Sequence, residues 1–184
     1  MITGRDMADE HAFDFRRYTA SDFEVVTDLW TRVNREPAPA GMETLFEQYI
    51  ATTIEGELSR LLDIFSVARR NAFWVVEPVD DSRRIVGTFG IECHNSDTTE
   101  LRRMYIDAGW RGCGLAQRML CIAEDMAREF GFFRMIVSTA DVQRAALRFY
   151  TKSGFQRVRS EIAETMTVKQ AGGGLLRHYF QKVL

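Results

Sequence analysis

Trp110-Arg-Gly-Cys-Gly-Leu-Ala-Gln-Arg-Met-Leu120 is the stretch from which the fold of this 184-residue chain can be read. Its two glycines open a helix. Leu115, Met119, Ile122, Met126 and Phe130 recur at spacings of 4, 3, 4 and 4 along one helical face, and Gly131 follows where a helix usually ends in left-handed backbone. Upstream, Thr99 to Ile106 reads as a strand. Downstream, Phe132 to Thr139 is a compact apolar run of strand length. Strand, helix and apolar strand together predict a parallel βαβ unit.

Working outward, Phe73 to Val79 and Ile85 to Glu92 read as a hairpin turning through Asp80, Asp81 and Ser82. Phe13, Phe15 and Arg17 alternate with polar neighbours as a short strand does. Phe23, Val26, Leu29, Trp30 and Val33 form the apolar stripe of a helix that Pro37 and Pro39 end. A second helical region from Met42 to Ala68 is expected to break near Thr52-Thr53-Ile54 and Gly56. Beyond the βαβ unit, Asp141 is placed to cap a helix through Lys152. Strands from Phe155 to Ile162 and from Leu175 to Val183 flank a Lys169 to Gly174 loop. The order βααβββαβαββ predicts an α+β fold: a mixed, mostly antiparallel sheet of about seven strands, in one domain from 13 to 184 after a flexible N-terminus of 1–12.

Apolar residues make up 46% of the chain and charged residues 27%, enough for a core and too balanced for disorder. Lysine and arginine number 24 against 26 acidic residues, so nucleic acid is not an expected partner. Apolar runs are far shorter than the ~20 residues of a bilayer span, and Met1 to Asp14 lacks the apolar core of a secretory signal. Three cysteines without Cys-x-x-Cys spacing fit a reduced, cytoplasmic setting. His11, His94 and His178 fall in different elements, so no metal is expected. Strand alternation sends Arg102 and Arg103 to opposite faces of the sheet.

The chemistry is expected at Arg111-Gly-Cys-Gly-Leu-Ala116. Small residues let backbone amides approach a ligand, and the helix N-terminus offers unpaired N–H groups and the positive end of its dipole. A phosphate or pyrophosphate is the natural guest. The same spacing also suits a plain strand-to-helix turn, and Cys113 is either a reactive thiol or a small residue at a variable position.

Glu100-Leu-Arg-Arg-Met-Tyr-Ile106, Trp110 to Leu120 and Ala145-Ala-Leu-Arg-Phe-Tyr-Thr-Lys-Ser-Gly-Phe155, in this order, resemble the GCN5-related N-acetyltransferase (GNAT) family. Gln143-Arg-Ala-Ala-Leu147 and Phe73-Trp-Val-Val-Glu77 are most similar to the branch that includes cysteinyl-conjugate N-acetyltransferases. That branch often carries a hydrophobic membrane segment. Here Glu43 to Arg70 is charged, so membrane association is not expected.

The resemblance implies a sheet with helices on both faces, splayed where acetyl-coenzyme A binds as cosubstrate. It implies main-chain hydrogen bonds from Met104, Tyr105 and Ile106 on a bulged strand to the pantetheine arm. The pyrophosphate would rest on Arg111, Gly112, Cys113, Gly114, Leu115 and Ala116, with Gln143 contacting the cofactor or a structural water. Tyr150 would protonate the leaving thiolate, as a phenol with its usual pKa near ~10 can. Otherwise it is a core tyrosine beside Phe149. Glu100, its pKa raised by partial burial, would accept the amine proton, or else it is a strand carboxylate paired with Arg102 or another cation. The implied activity is direct acetyl transfer to a primary amine of a small molecule, amino-acid conjugate or peptide, with the Arg32 to Gly41 segment and the Lys169 to Gly174 loop walling the acceptor side. A noncatalytic coenzyme A-binding sensor or scaffold is the alternative, and a homodimer is compatible with either. A dinucleotide-dependent oxidoreductase fits poorly, because Gln117 stands where the third small residue of its motif belongs.

Overall fold

A computed structural model describes residues 12–81 and 84–184. The expected N-terminal flexibility, His11 and the Ser82 turn position lie outside them, apart from residue 12. Seven strands form one sheet in the order β1-β2-β3-β4-β5-β7-β6. They are β1 (Phe13–Arg17), β2 (Ala72–Pro78), β3 (Gly87–Cys93), β4 (Thr98–Ile106), β5 (Arg134–Ala140), β6 (Gln156–Ala163) and β7 (Leu175–Val183). Among the described residues only β4 and β5 pair in parallel. The helices are α1 (Phe23–Arg35), α2 (Glu43–Gly56), α3 (Leu61–Ile64), α4 (Leu115–Glu129) and α5 (Arg144–Lys152). The α+β reading, the βαβ unit around α4 and the break after Gly56 therefore hold.

Strand alternation builds a core on each side of the sheet. In β2, Trp74 and Val76 join α4 and α5 residues such as Met119, Leu120 and Tyr150 on one side. Phe73 and Val75 face Leu29 and Trp30 of α1 and Tyr49 of α2 on the other. Every residue of β2 is buried, so this strand needs apolar side chains on both faces. Gly90 of the neighbouring β3 must lack a side chain: a Cβ there would stand 2.7 Å from Phe73 and 3.0 Å from the Ala72 carbonyl.

Two expectations are corrected. Asp141 does not cap α5, which begins at Arg144 with Gln143 in the capping position. The Asp141 amide donates to the Leu176 carbonyl at 2.9 Å, so the chain is still tied to β7 there and cannot yet turn into a helix. Its Oδ1 is buried without a hydrogen-bond partner among the described residues.

The second correction concerns Arg102 and Arg103, whose side chains converge on one carboxylate. Thr88 pairs with Tyr105 and Gly90 with Arg102, so Arg103 and Met104 together stand opposite Phe89. Arg103 takes φ 54°, in the left-handed region. This bulge breaks the alternation on which the opposite-face expectation rested. A left-handed non-glycine residue costs roughly 1–2 kcal/mol, so its surroundings must hold it.

Glu57, just past the end of α2 and 3% exposed, does so. It accepts from Arg103 Nε at 2.8 Å and Nη2 at 2.5 Å, and from Arg102 Nη2 at 2.7 Å. Arg102 also bonds Glu92. The Arg103 guanidinium lies 4.4 Å over the Trp30 ring, reaches the Tyr49 hydroxyl at 3.3 Å and donates to the Val168 carbonyl at 2.5 Å. Burial opposes the Glu57 charge, but the Arg103 hydrogen bonds and the Arg103, Arg102 and Lys169 charges outweigh it and hold its carboxyl below the usual carboxylate range.

Removing one partner of a buried ion pair strands the others, so Glu57→Gln should lower unfolding stability by about 3–5 kcal/mol in urea titrations. The folded pKa of Glu57 is depressed, so its stabilisation is complete above the unfolded value of about 4 and is lost as pH falls through the folded one. The wild-type chain should show that acid-side loss of stability, and Glu57→Gln should reduce it.

Candidate active site

The candidate residues of β4 lie where β4 and β5 part. Their pairing covers only Thr98↔Arg134, Thr99↔Met135 and Glu100↔Ile136. Past Glu100, β5 continues with β7 through Ala140↔Arg177, while β4 enters its bulge. A cavity of about 80 Å³ lies in this region, lined by Glu100, Arg103 and Tyr105 of β4, Ser138 of β5 and Arg177 of β7. Asn34 of α1 and Tyr49 of α2 close one side. Lys169 to Gly172 of the β6–β7 loop contribute to the wall of this cavity, whereas Asn34 alone does so from the 32–41 segment.

Beyond β4 comes the glycine-rich turn. Gly112 and Gly114 both take φ 82°, and a Cβ on either would meet nothing within 4 Å, so backbone angle rather than crowding demands glycine here. The backbone N–H groups of Gly112, Cys113, Gly114, Leu115 and Ala116 donate to no acceptor among the described residues. Five free donors at the start of a 15-residue helix are a set that could hold an anion. The side chains beside it serve the structure. Arg111 forms a two-pronged pair with Glu36 at 2.6 and 2.7 Å, and its Nε donates to the Ile106 carbonyl at 3.0 Å. Cys113 Sγ lies 3.1 Å from the Trp110 carbonyl. Arg32 reaches Asp107 at 2.9 Å, so two ion pairs join the end of α1 to the approach of this turn.

Of the other sequence candidates, Met104, Tyr105 and Ile106 are half-buried on the part of β4 that has left β5. Gln143 lines the cavity and accepts the Thr139 hydroxyl at 2.6 Å through Oε1. Glu100 holds the ammonium of Lys169 at 2.6 Å and lies 3.9 Å from Arg102. Its carboxylate is thus engaged in the free chain. Tyr150 lies on α5 with its ring among Phe149, Phe155 and Phe180, and it does not line the cavity. No hydrogen bond to its hydroxyl occurs among the described residues. Burial, helped by Tyr105, pushes the phenol well above its ordinary pKa rather than leaving it unperturbed.

Sequence reading missed Glu57, Tyr49 and Arg177. Glu57 sits in a charged stretch where nothing marks one acid as buried, and Arg177 looks like any polar position of a half-exposed strand.

Residues 23–155 match the model of the Acetyltransferase (GNAT) family. The chain belongs to that family. Among curated GNAT relatives it is 33% identical over 110 residues to the uncharacterized N-acetyltransferase YjgM of Escherichia coli, covering 58% of this chain and 64% of that protein. It is 22% identical over 112 residues to human N-acetyltransferase 8, covering 60% of this chain and 49% of the relative. The matched region thus spans less than two thirds of either relative. A Staphylococcus aureus GNAT acetyltransferase superposes with TM-score 0.73 at 16% identity, over 94% of this chain and 99% of that one. The PaiA N-acetyltransferase of Thermoplasma acidophilum, solved with coenzyme A, gives TM-score 0.68 at 18% identity, over 94% and 99%. The arrangement of sheet and helices is therefore the GNAT fold. Among the described residues no group of His, Cys, Asp and Glu is placed to hold a metal, and no helix is long and apolar enough to cross a membrane.

Gly114→Val should fold and lose about 1–2 kcal/mol in denaturant unfolding, because a branched residue resists φ 82° while its Cβ has open space.

Proposed function

We propose that this chain is an N-acetyltransferase that moves an acetyl group from acetyl-coenzyme A to the primary amine of a small molecule, amino-acid conjugate or peptide. The observation that carries this reading is the run of five unsatisfied amides from Gly112 to Ala116 beside the opening between β4 and β5. The cradle fits a pyrophosphate: its donors come from backbone, it starts a helix, and its glycines leave the approach open. Membership in the GNAT family and the coenzyme A complex of PaiA support the choice of ligand.

In this reading the unpaired stretch of β4 at Met104, Tyr105 and Ile106 holds the pantetheine arm through main-chain groups, and Gln143 offers its free amide nitrogen. The amine attacks the thioester carbonyl, the carbon–sulfur bond breaks, and an acetamide and a free thiol leave. Tyr150 supplies the proton to the thiolate. Its raised pKa keeps it protonated throughout the neutral range, and no described neighbour competes for its hydroxyl. Glu100 accepts the amine proton directly or through water once the acceptor has displaced Lys169. The unpaired thiols of Cys93, Cys113 and Cys121 support a cytoplasmic setting.

Calorimetry should show acetyl-coenzyme A binding that nicotinamide dinucleotides do not compete away, and Gly114→Val should weaken that binding sharply. Thiol release with a panel of amines separates turnover from a noncatalytic coenzyme-binding role. With a turned-over acceptor, Tyr150→Phe should lower kcat by roughly 10²- to 10⁴-fold at nearly unchanged cofactor affinity. A wild-type rate in that variant would remove Tyr150 from the proton-transfer role.

A further inference from the structure

The charges around the cavity do not balance, and the imbalance sits at one residue. Arg103 and Arg102 share Glu57, Arg102 also bonds Glu92, and Lys169 lies 2.6 Å from Glu100 and 3.5 Å from Glu92. Three cations therefore meet three carboxylates. Arg177, the fourth cation lining the cavity, has no carboxylate within ion-pair distance among the described residues.

Arg177 does have an acid directly across the sheet, since β6 places Glu161 opposite it in register. That acid is already engaged: Glu161 pairs with Arg159 at 3.0 Å and accepts the Tyr179 hydroxyl. Among the described residues the only hydrogen bond from the Arg177 side chain runs from Nη2 to Ser138 Oγ at 2.7 Å, and its guanidinium lies 5.9 Å from the Tyr179 ring, a contact that neutralises no charge. A guanidinium carries five N–H donors in a planar fork, so donors suited to a carboxylate remain. The strand pair Ala140↔Arg177 lies at the end of β5, beside the opening.

We propose that Arg177 is the anion-binding residue of the acceptor site, and that the preferred acceptor is an amine bearing a carboxylate. This rests on the reading that the cavity receives the acceptor of acetyl transfer. Lys169 marks the other half of the recognition, because its ammonium already occupies Glu100 as an incoming amine would. The cavity thus presents an ammonium-accepting carboxylate and an unmatched guanidinium, the complement of an amino acid or its conjugate. An amine lacking the acid leaves Arg177 unneutralised. A diamine adds a second cation beside three guanidinium groups.

The test compares matched acceptors that differ only at the acid: phenylalanine, phenylalaninamide and phenethylamine, with the alanine series as the smaller set. In the wild-type chain kcat/KM for thiol release should favour the acid over its amide by at least about tenfold, as one charge-assisted contact allows. In Arg177→Met that ratio should collapse towards one, and Arg177→Lys should restore part of it. Equal use of acid and amide by the wild type, or an unchanged ratio in Arg177→Met, would overturn the proposal while leaving acetyl transfer intact. If no acceptor releases thiol, the same compounds are titrated calorimetrically into the chain with and without coenzyme A. Carboxylate-dependent binding lost in Arg177→Met then supports the site and removes the transfer reading, and its absence in the wild type overturns the site.

Discussion

The left-handed backbone of Arg103 is the constraint on which the site depends. One residue out of register in β4 does two things: it turns two consecutive arginines towards the same acid, and it bends the strand where β5 departs with β7. A regular β4 could keep pairing with β5 beyond Glu100, closing the opening beside the cavity. The strain is tolerated because the arginine's own side chain is held from three directions. Glu57 binds it from α2, Trp30 lies under it from α1, and the Val168 carbonyl meets it from the β6–β7 loop. Elements distant in sequence are thus fixed around the point where the sheet opens.

This arrangement explains why the cavity is so polar inside. A cavity lined by three guanidinium groups would repel itself without acids behind it, and Glu57 and Glu92 stand behind Arg102 and Arg103. Such a buried network is a poor source of net stability compared with apolar packing, since desolvation offsets much of the attraction. Its value here is geometric: it sets the bulge and fastens the loop that carries Lys169.

Where periodicity carried the signal, the sequence was readable. The 4-3-4-4 spacing of Leu115 to Phe130 located α4, and the compact apolar run after it located β5, because burial on a regular face leaves a regular trace. The glycine turn was readable for a related reason, since positive φ selects residue type directly. Asp141 misled because a good capping residue was held in the sheet by its own amide, a tertiary bond with no local signature. Arg102 and Arg103 misled because alternation fails at a bulge, and no glycine marked this one. Glu57 and Arg177 were invisible for the same reason: their roles depend on partners dozens of residues away.

The two ion pairs between α1 and the glycine turn, Arg32 with Asp107 and Arg111 with Glu36, differ in kind from the Glu57 network. Their arginine side chains are 56% and 40% exposed, against 4% for Arg103. Mobile counter-ions reach the first two and screen them over a Debye length of about 8 Å at physiological ionic strength, whereas the interior network is shielded from them. These two electrostatic assemblies therefore answer to different solutes. Added salt loosens the hold of α1 on the glycine turn, while added acid reaches the hinge of the sheet through Glu57.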